Sequence, residues 1–396
     1  MVALARKSLN IAMICTELLP VPPIRGGAIQ ILIAGVLPHL AKRHRVTVYS
    51  VADRDLPSRE SADGVEYVRL PRKRYAYNVA AELEAVRKSG MSYDVVHVFN
   101  RPGNVLIYKT AMPESRFVVS LHNEMYRVGK ISEELGRLTI RALDKIMSIS
   151  DYIGATIVTR FPSASSKVRT VYSAVDLSRY APVWAEEAQA VRAELRKAYG
   201  LEGKKVVLFV GRLSAVKGPD ILIQAMERVF REYPDATLLI VGSKWFHDER
   251  VDEYGIRLRQ AAERFGDRIR FTGFVPPSRL PETYLAGDVF VCSSQWQEPL
   301  ARVHYEAMGA GLPVITTNRG GNAEIVTHGV NGLVIDDYTN PEAFAEAIGY
   351  LFDHPDEADR LARAGRAFVE RNHGFEHAAR RLELLYAAAL HRKKVE

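Results

Sequence analysis

Two stretches of this chain open in the same way, and that repetition constrains the fold more than any other feature of the sequence. Residues 10–15 form an apolar run, and the loop after it ends in Arg25-Gly26-Gly27. An amphipathic pattern over 28–42 follows, and then a second apolar run over 46–51. In the second half, 205–210 is apolar, 211–218 is a loop bounded by glycines, 219–232 reads as a helix and 237–241 as a strand. Each stretch is a strand, a glycine loop, a helix and a strand, the βαβ unit that builds a parallel sheet. Further runs extend both sets: 95–99, 117–121, 145–149 and 167–171 in the first half, and 269–272, 289–293, 313–317 and 332–335 in the second. They are continuous rather than alternating, as strands covered on both faces are. The expected class is therefore α/β, with two Rossmann-like domains built on parallel sheets. A chain of 396 residues is too long for one ordinary core and suits two. Ala181-Pro182 interrupts the pattern and a polar helix over 186–199 leads into the second strand set. The domains are expected over 1–182 and 183–374. A helix over 375–394 is left over from the second sheet, and its Leu382, Leu384, Leu385 and Leu390 need a surface to cover. Residues 375–396 are expected to return to the first domain.

Hydrophobic residues make up 47% and charged residues 26%, the profile of a globular enzyme. No segment approaches the ~20 apolar residues of a membrane span. The run over 10–19 follows Arg6 and Lys7, as a signal peptide would. It runs into Pro20, Pro22 and Pro23 with no small-residue cleavage site, so it reads as a buried strand and its exit loop. Cys15 and Cys292 fall inside predicted strands, as small buried hydrophobes in a reducing, cytoplasmic setting rather than a disulfide or metal ligands. The net charge of +7 is unevenly placed: residues 1–190 hold 26 Lys and Arg against 18 Asp and Glu, and residues 191–396 hold 28 against 29. Either the first half carries ordinary solubilising charge, or it meets something anionic.

Four clusters carry chemistry. Gly211-Arg212-Leu213-Ser214-Ala215-Val216-Lys217-Gly218 follows the carboxyl end of a predicted parallel strand, where open α/β sheets bind ligands. Two cations beside a helix N-terminus begun by Pro219 suit a diphosphate, although a basic solvated loop has the same composition. The loop has neither a Walker A pattern nor a Gly-x-Gly-x-x-Gly fingerprint. The second cluster, Ser293-Ser294-Gln295-Trp296-Gln297-Glu298-Pro299-Leu300-Ala301-Arg302-Val303-His304-Tyr305-Glu306-Ala307-Met308-Gly309, sets Glu298 in the loop after a strand. Pro299 is expected to start a helix, with Glu306 two turns along it. Two carboxylates at different depths can accept hydrogen bonds from vicinal hydroxyls; they are equally ordinary as helix acids. The third cluster is Gly26-Gly27, where backbone can approach a phosphate or merely turn. The fourth is Ser120-Leu121-His122-Asn123-Glu124 at a strand end, with His122 either a reacting group or a structural histidine.

In this order the four clusters resemble the family 4 retaining glycosyltransferases of GT-B fold, over nearly the whole chain. The Arg-Gly-Gly-Ala-Ile-Gln and Gln-Trp-Gln-Glu-Pro-Leu-Ala-Arg-Val-His-Tyr-Glu stretches are similar to spore-coat glycosyltransferases of the spore coat protein SA type. The resemblance implies two sheets facing across a cleft, and a nucleotide-diphosphate-sugar as donor. It implies that Arg212 and Lys217 bind the donor diphosphate, that Gly27 offers its N–H to it, and that Glu306 holds the ribose. Glu298 would hold hydroxyls of the transferred sugar, with His122 on its acceptor side. Leu300, Ala301 and Arg302 would line the phosphate–sugar junction with their N–H groups. The common family pattern after Glu-Pro is Phe-Gly-Leu; Leu300-Ala301-Arg302 removes the glycine and adds a charge.

A leaving nucleoside diphosphate needs preorganised donors in a water-poor site, and two cations with helix N-termini supply them without a metal. No Asp-x-Asp motif is present to hold one. No cofactor beyond the donor is expected. No carboxylate is clearly placed as a nucleophile, and the resemblance favours front-face transfer over a covalent intermediate. Expected partners are the donor and a glycan, lipid-linked or otherwise anionic acceptor, with peripheral membrane contact through the basic first half and no nucleic acid. Rival readings are a non-enzymatic nucleotide- or polyanion-binding protein on the same frame, or a sugar-phosphate synthase, which differs in its acceptor. The expected location is cytoplasmic, at a membrane surface or in the spore coat.

Overall fold

The computed structural model describes residues 8–243 and 252–391; Arg6 and Lys7 lie outside them, as do the last residues of the helix expected over 375–394. The chain forms two units, Met1–Ser173 with Phe375–Glu396, and Ala174–Gly374. The expected boundary at 182/183 falls a little later than this. The segment between the two positions is bound to the second unit: Val175 N–H donates to His373 O at 2.9 Å, and Arg302 Nη1 to Ala174 O at 2.8 Å.

The first unit is built on β1 (Asn10–Ile14), β2 (Arg45–Val51), β3 (Arg59–Ala62), β4 (Val65–Leu70), β5 (Val95–Phe99), β6 (Arg116–Leu121), β7 (Lys145–Ser148) and β8 (Val168–Thr170). Their order is β3-β4-β2-β1-β5-β6-β7-β8. Every neighbouring pair is parallel except β3 with β4. That hairpin turns at Asp63-Gly64, both at positive φ (51° and 77°), the backbone of a two-residue Asp-Gly turn. The second sheet contains β9 (Lys205–Val210), β10 (Ala236–Val241), β11 (Ile269–Gly273), β12 (Val289–Cys292), β13 (Val314–Thr317) and β14 (Leu333–Ile335). It is parallel throughout, in the order β11-β10-β9-β12-β13-β14.

The continuous apolar runs are the buried strands: every residue of β5, β10 and β12 is buried. Each sheet reverses its winding once, between β1 and β5 in the first and between β9 and β12 in the second. At such a switch point the loops leaving adjacent strands diverge to opposite faces and open a crevice at the carboxyl edge. All four clusters singled out in the sequence lie at these two edges.

The helix Phe375–Leu390 belongs to the first unit. Leu382 and Leu385 are buried as expected, whereas Leu384 faces solvent. Two turns of this helix are held by chemistry as well as packing. Glu383 pairs with Arg43 and with His44 (3.2 Å), and the Tyr386 hydroxyl meets His97 Nδ1 at 2.8 Å inside the sheet. Gly35 makes room for the helix start, since a Cβ there would stand 2.2 Å from the Phe375 ring.

Candidate active site

In the second unit three loops leave the adjacent strands β9, β12 and β13 side by side. The first, 211–218, turns into the helix Pro219–Glu232 through Gly218 at φ 66°. Any side chain there would collide with Ser293 O, 2.1 Å from the Cβ position, so the glycine is what allows this loop and the β12 loop to touch. Hydrogen bonds join them: Ser293 Oγ donates to Gly218 O (2.8 Å), and Gln295 N–H to Val216 O (2.9 Å).

This contact brings Lys217 and Glu298 together. Lys217 Nζ lies 2.5 Å from Glu298 Oε2. The same oxygen accepts the Trp296 indole N–H at 2.7 Å and the Ser294 hydroxyl at 3.0 Å. Burial alone would raise the Glu298 carboxyl, but the charge of Lys217 and these hydrogen bonds outweigh it and hold the group below its ordinary 4.5. The ammonium also stands 5.9 Å from the Trp296 ring centroid. Arg212, on the same loop, is exposed, and no carboxylate pairs with it among the described residues. A fixed cation, a second exposed cation and a buried carboxylate thus converge on one edge, a set that can bind a phosphate beside a hydroxylated group.

The third loop backs this arrangement. Gly320, at φ 58°, lies against the Glu298 backbone, with its Cβ position 2.0 Å from Glu298 O; Gly321 N–H donates to that oxygen at 2.8 Å. Asn322 Oδ1 accepts the Ala301 N–H at a long 3.4 Å. Leu300 and Ala301 are buried. The helix expected to start at Pro299 begins at Val303 and ends at Gly309. Residues 299–302 are irregular or turning instead, with Ala301 N–H and Glu298 O bonded to the β13 loop. Glu306 therefore sits one turn along the helix, not two. It is 6% exposed, accepts the Tyr284 hydroxyl at 2.8 Å, and lies 3.5 Å from Arg302 Nη2.

In the first unit, Gly26 and Gly27 (φ 80° and 100°) lead into the helix Ala28–Leu40. A Cβ on Gly27 would stand 2.2 Å from Gln30 Oε1. The buried Gln30 amide holds the loop by donating to Cys15 Sγ, Thr16 Oγ1 and Leu19 O. Arg25 is committed to Asp53 (2.9 Å) and Asp55, so the charge next to these glycines is neutralised in place. His122 directly follows β6; its N–H donates to Asn100 Oδ1 at 2.9 Å and its ring stacks on Phe99 with centroids 6.1 Å apart. Asn100 adopts φ 54°, a conformation few residues but glycine and asparagine take readily, at the end of β5. Beneath it His97 is buried between Ser120 Oγ (2.5 Å) and Tyr386, and burial, with His122 nearby, pulls it down to about 3, so it stays neutral. Glu17 and Arg101 pair at 2.5 Å on the same edge.

Cys15 and Cys292 are free and buried, and burial pushes the Cys15 thiol up to about 12. Among the described residues no three His, Cys, Asp or Glu side chains gather so that they could hold a metal ion, and no helix is long and apolar enough to cross a membrane. Sequence reasoning includes Ser294 and Trp296 in the second cluster without giving them a role, and misses Gly320, Asn322, Tyr284, Asn100, Glu17 and Arg101. Ser294, Trp296 and the Asn-Arg-Gly-Gly-Asn stretch at 318–322 do fall at strand exits, which is the signal that could find them.

Two family descriptions fit the chain: "Glycosyl transferases group 1" over residues 191–368 and "Glycosyltransferase Family 4" over residues 29–179. The chain is 49% identical to spore coat protein SA of Bacillus subtilis over 378 residues, 96% of this chain and 99% of that protein. Its fold is like that of Anabaena HepE, solved in complex with UDP-glucose (TM-score 0.75, 21% identity, 96% of this chain and 99% of that one). It is also like that of a glycosyltransferase from Rickettsia africae (TM-score 0.81, 17% identity, 98% and 100%).

Proposed function

The chain belongs to the family 4 glycosyltransferases, with the GT-B fold, and we propose that it moves a sugar from a nucleoside-diphosphate sugar to a hydroxyl acceptor, with retention and without a metal. The observation that carries this reading is the Lys217–Glu298 pair, 2.5 Å apart at the winding reversal of the second sheet. In the proposed reaction Lys217 and Arg212 bind the diphosphate, Glu298 the hydroxyls of the departing sugar and Glu306 the ribose. The Gly27 N–H and those of Leu300, Ala301 and Arg302 assist at the phosphates and the phosphate–sugar junction. The sugar–phosphate bond breaks as the acceptor oxygen bonds to the anomeric carbon on the same face, and the departing phosphate oxygen takes the acceptor proton. His122 faces the acceptor side. Charge developing on the diphosphate is stabilised by the two cations, the interaction that strengthens most in the transition state.

That nucleotide-sugar donors suit the site is supported by HepE, which holds UDP-glucose on a similar fold. The likeness to spore coat protein SA supports a cell-surface or spore-coat glycan as product. Incubation with an α-linked donor should give an α-linked product by NMR, and turnover should survive EDTA. A β-linked product would overturn retention. Activity lost to EDTA and restored by Mg²⁺ or Mn²⁺ would overturn metal independence.

The acceptor is proposed to be anionic, on the strength of Arg72-Lys73-Arg74. The run is exposed at the carboxyl edge of the first sheet, and the helix expected over 80–88 begins directly after it, at Tyr75. Cations at a helix N-terminus oppose its dipole, so local stability does not account for them. Burial alone would raise the Glu17 carboxyl; the Arg101 hydrogen bonds and charge hold it below its ordinary value, with a weaker contribution from Arg72. From β4 to β6 there are four strand spacings, roughly 19 Å. Screening over ~8 Å leaves little direct effect at His122, so the run acts on encounter rather than on chemistry. Replacing all three with glutamate should raise the acceptor KM and flatten its salt dependence, with kcat and donor binding unchanged. Unaltered acceptor kinetics at low salt would reduce the run to solubilising charge.

A further inference from the structure

We infer that Tyr284 is a positioning residue for Glu306, fixing which carboxylate oxygen is left for the ribose. The Tyr284 hydroxyl donates to Glu306 Oε2 at 2.8 Å, a normal hydroxyl hydrogen-bond length. The other oxygen, Oε1, has Arg302 Nη2 at 3.5 Å, at the outer limit of a hydrogen bond. The two oxygens of one buried carboxylate are thus unequal. Oε2 already accepts from a neutral donor, and Oε1, with only a marginal contact, keeps the greater acceptor capacity for a vicinal pair of hydroxyls.

Tyr284 can do this because it cannot move. It is fully buried, and its ring stands edge-on to Tyr180 (centroids 6.0 Å) and tilted against Phe290 of β12 (5.8 Å). Tyr180 comes from the segment after the unit boundary, the same segment whose Ala174 carbonyl receives Arg302 Nη1. The first residues of the second unit therefore wall in the carboxylate from one side, and β12 sets the tyrosine from the other. A phenol buried beside a carboxylate stays protonated, since burial and the Glu306 charge both raise it well above its ordinary value. The hydroxyl is a permanent donor, and a glutamate side chain with several rotamers is reduced to one. A carboxylate pinned by one oxygen loses little freedom when a ligand takes the other, which is how preorganisation raises affinity.

The inference rests on the reading of Glu306 as the ribose carboxylate, and the test separates the two. Calorimetry compares UDP with dUDP and GDP with dGDP on the full chain, with competition by inorganic pyrophosphate as a probe of the phosphate contacts alone. For whichever base binds more tightly, the wild type should prefer ribose over deoxyribose by about tenfold, the size of one hydrogen bond to a charged group. Glu306→Gln should abolish that preference. Tyr284→Phe, which removes one oxygen and keeps the ring, should shrink it to within about threefold while leaving pyrophosphate competition and the melting temperature near wild type. A wild-type ribose preference in Tyr284→Phe overturns the positioning role and leaves the Glu306 reading standing. A wild-type preference in Glu306→Gln overturns both. If Tyr284→Phe does not fold, Tyr180→Leu carries the test, because it removes one wall of the clamp and keeps the hydroxyl. Its ribose preference should fall, and an unchanged one overturns the role.

Discussion

Glu298→Gln is expected to lower turnover about a hundredfold while nucleoside diphosphate binds at least as tightly as to the wild type. The carboxylate is buried and its Oε2 is already occupied by Lys217, Trp296 and Ser294, so its position is set before any ligand arrives. In the proposed reaction its other oxygen meets hydroxyls of the transferred sugar. As the sugar ring becomes electron-poor in the transition state, those hydroxyls become better donors, and a full negative charge opposite them gains strength. A neutral amide of the same shape keeps the ground-state contact and loses the gain, which appears in kcat more than in KM. Bare diphosphate never meets this oxygen, and loss of the carboxylate leaves the Lys217 ammonium without its partner and more available to phosphate. Steady-state kinetics and calorimetry on one preparation check both halves. Turnover within a few fold of wild type would remove Glu298 from the reacting centre.

Much of this site is legible in the amino-acid sequence. Strand exits are readable because buried parallel strands are continuous apolar runs, and ligands gather at their carboxyl ends. What the sequence cannot express is which strands are neighbours. Lys217 and Glu298 lie on loops after β9 and β12, and they meet because the sheet winds back on itself there. The same holds for Asn100 and His122, whose contact follows from β5 lying beside β6. The late helix start at Val303 has a different cause. Proline favours a first helical turn, but tertiary contacts decide otherwise, with Gly321 N–H on Glu298 O and Asn322 on Ala301 N–H. The hairpin of β3 and β4 escapes a search for apolar runs because its first strand is short and polar at the sheet edge, although Asp63-Gly64 is a strong turn signal. Arg25, beside the two glycines, is spent on Asp53 and Asp55, a pairing that sequence spacing does not announce.

Lys217→Ala is expected to weaken nucleoside diphosphate binding about ten- to a hundredfold, the range of a lost charge-assisted hydrogen bond. A second effect follows from its partner. In the wild type Glu298 is held below its ordinary 4.5, so the pair stabilises the fold above the unfolded carboxyl value, and that contribution is lost as pH falls through the lower folded value. Without the ammonium the largest remaining influence on Glu298 is burial, which raises it. The acid limb of the stability profile should therefore move toward neutrality in Lys217→Ala, and the protein should melt lower at pH 7, because a buried charge has lost its counter-ion. Adding Glu298→Gln removes that charge. The double variant should recover most of the stability and the acid limb of the wild type, yet none of the nucleotide affinity. Thermal melts across pH 3 to 8 read the first quantity and calorimetry the second. If the double variant regained affinity along with stability, the weak binding of Lys217→Ala would be a folding defect, and the lysine would have no place at the phosphates.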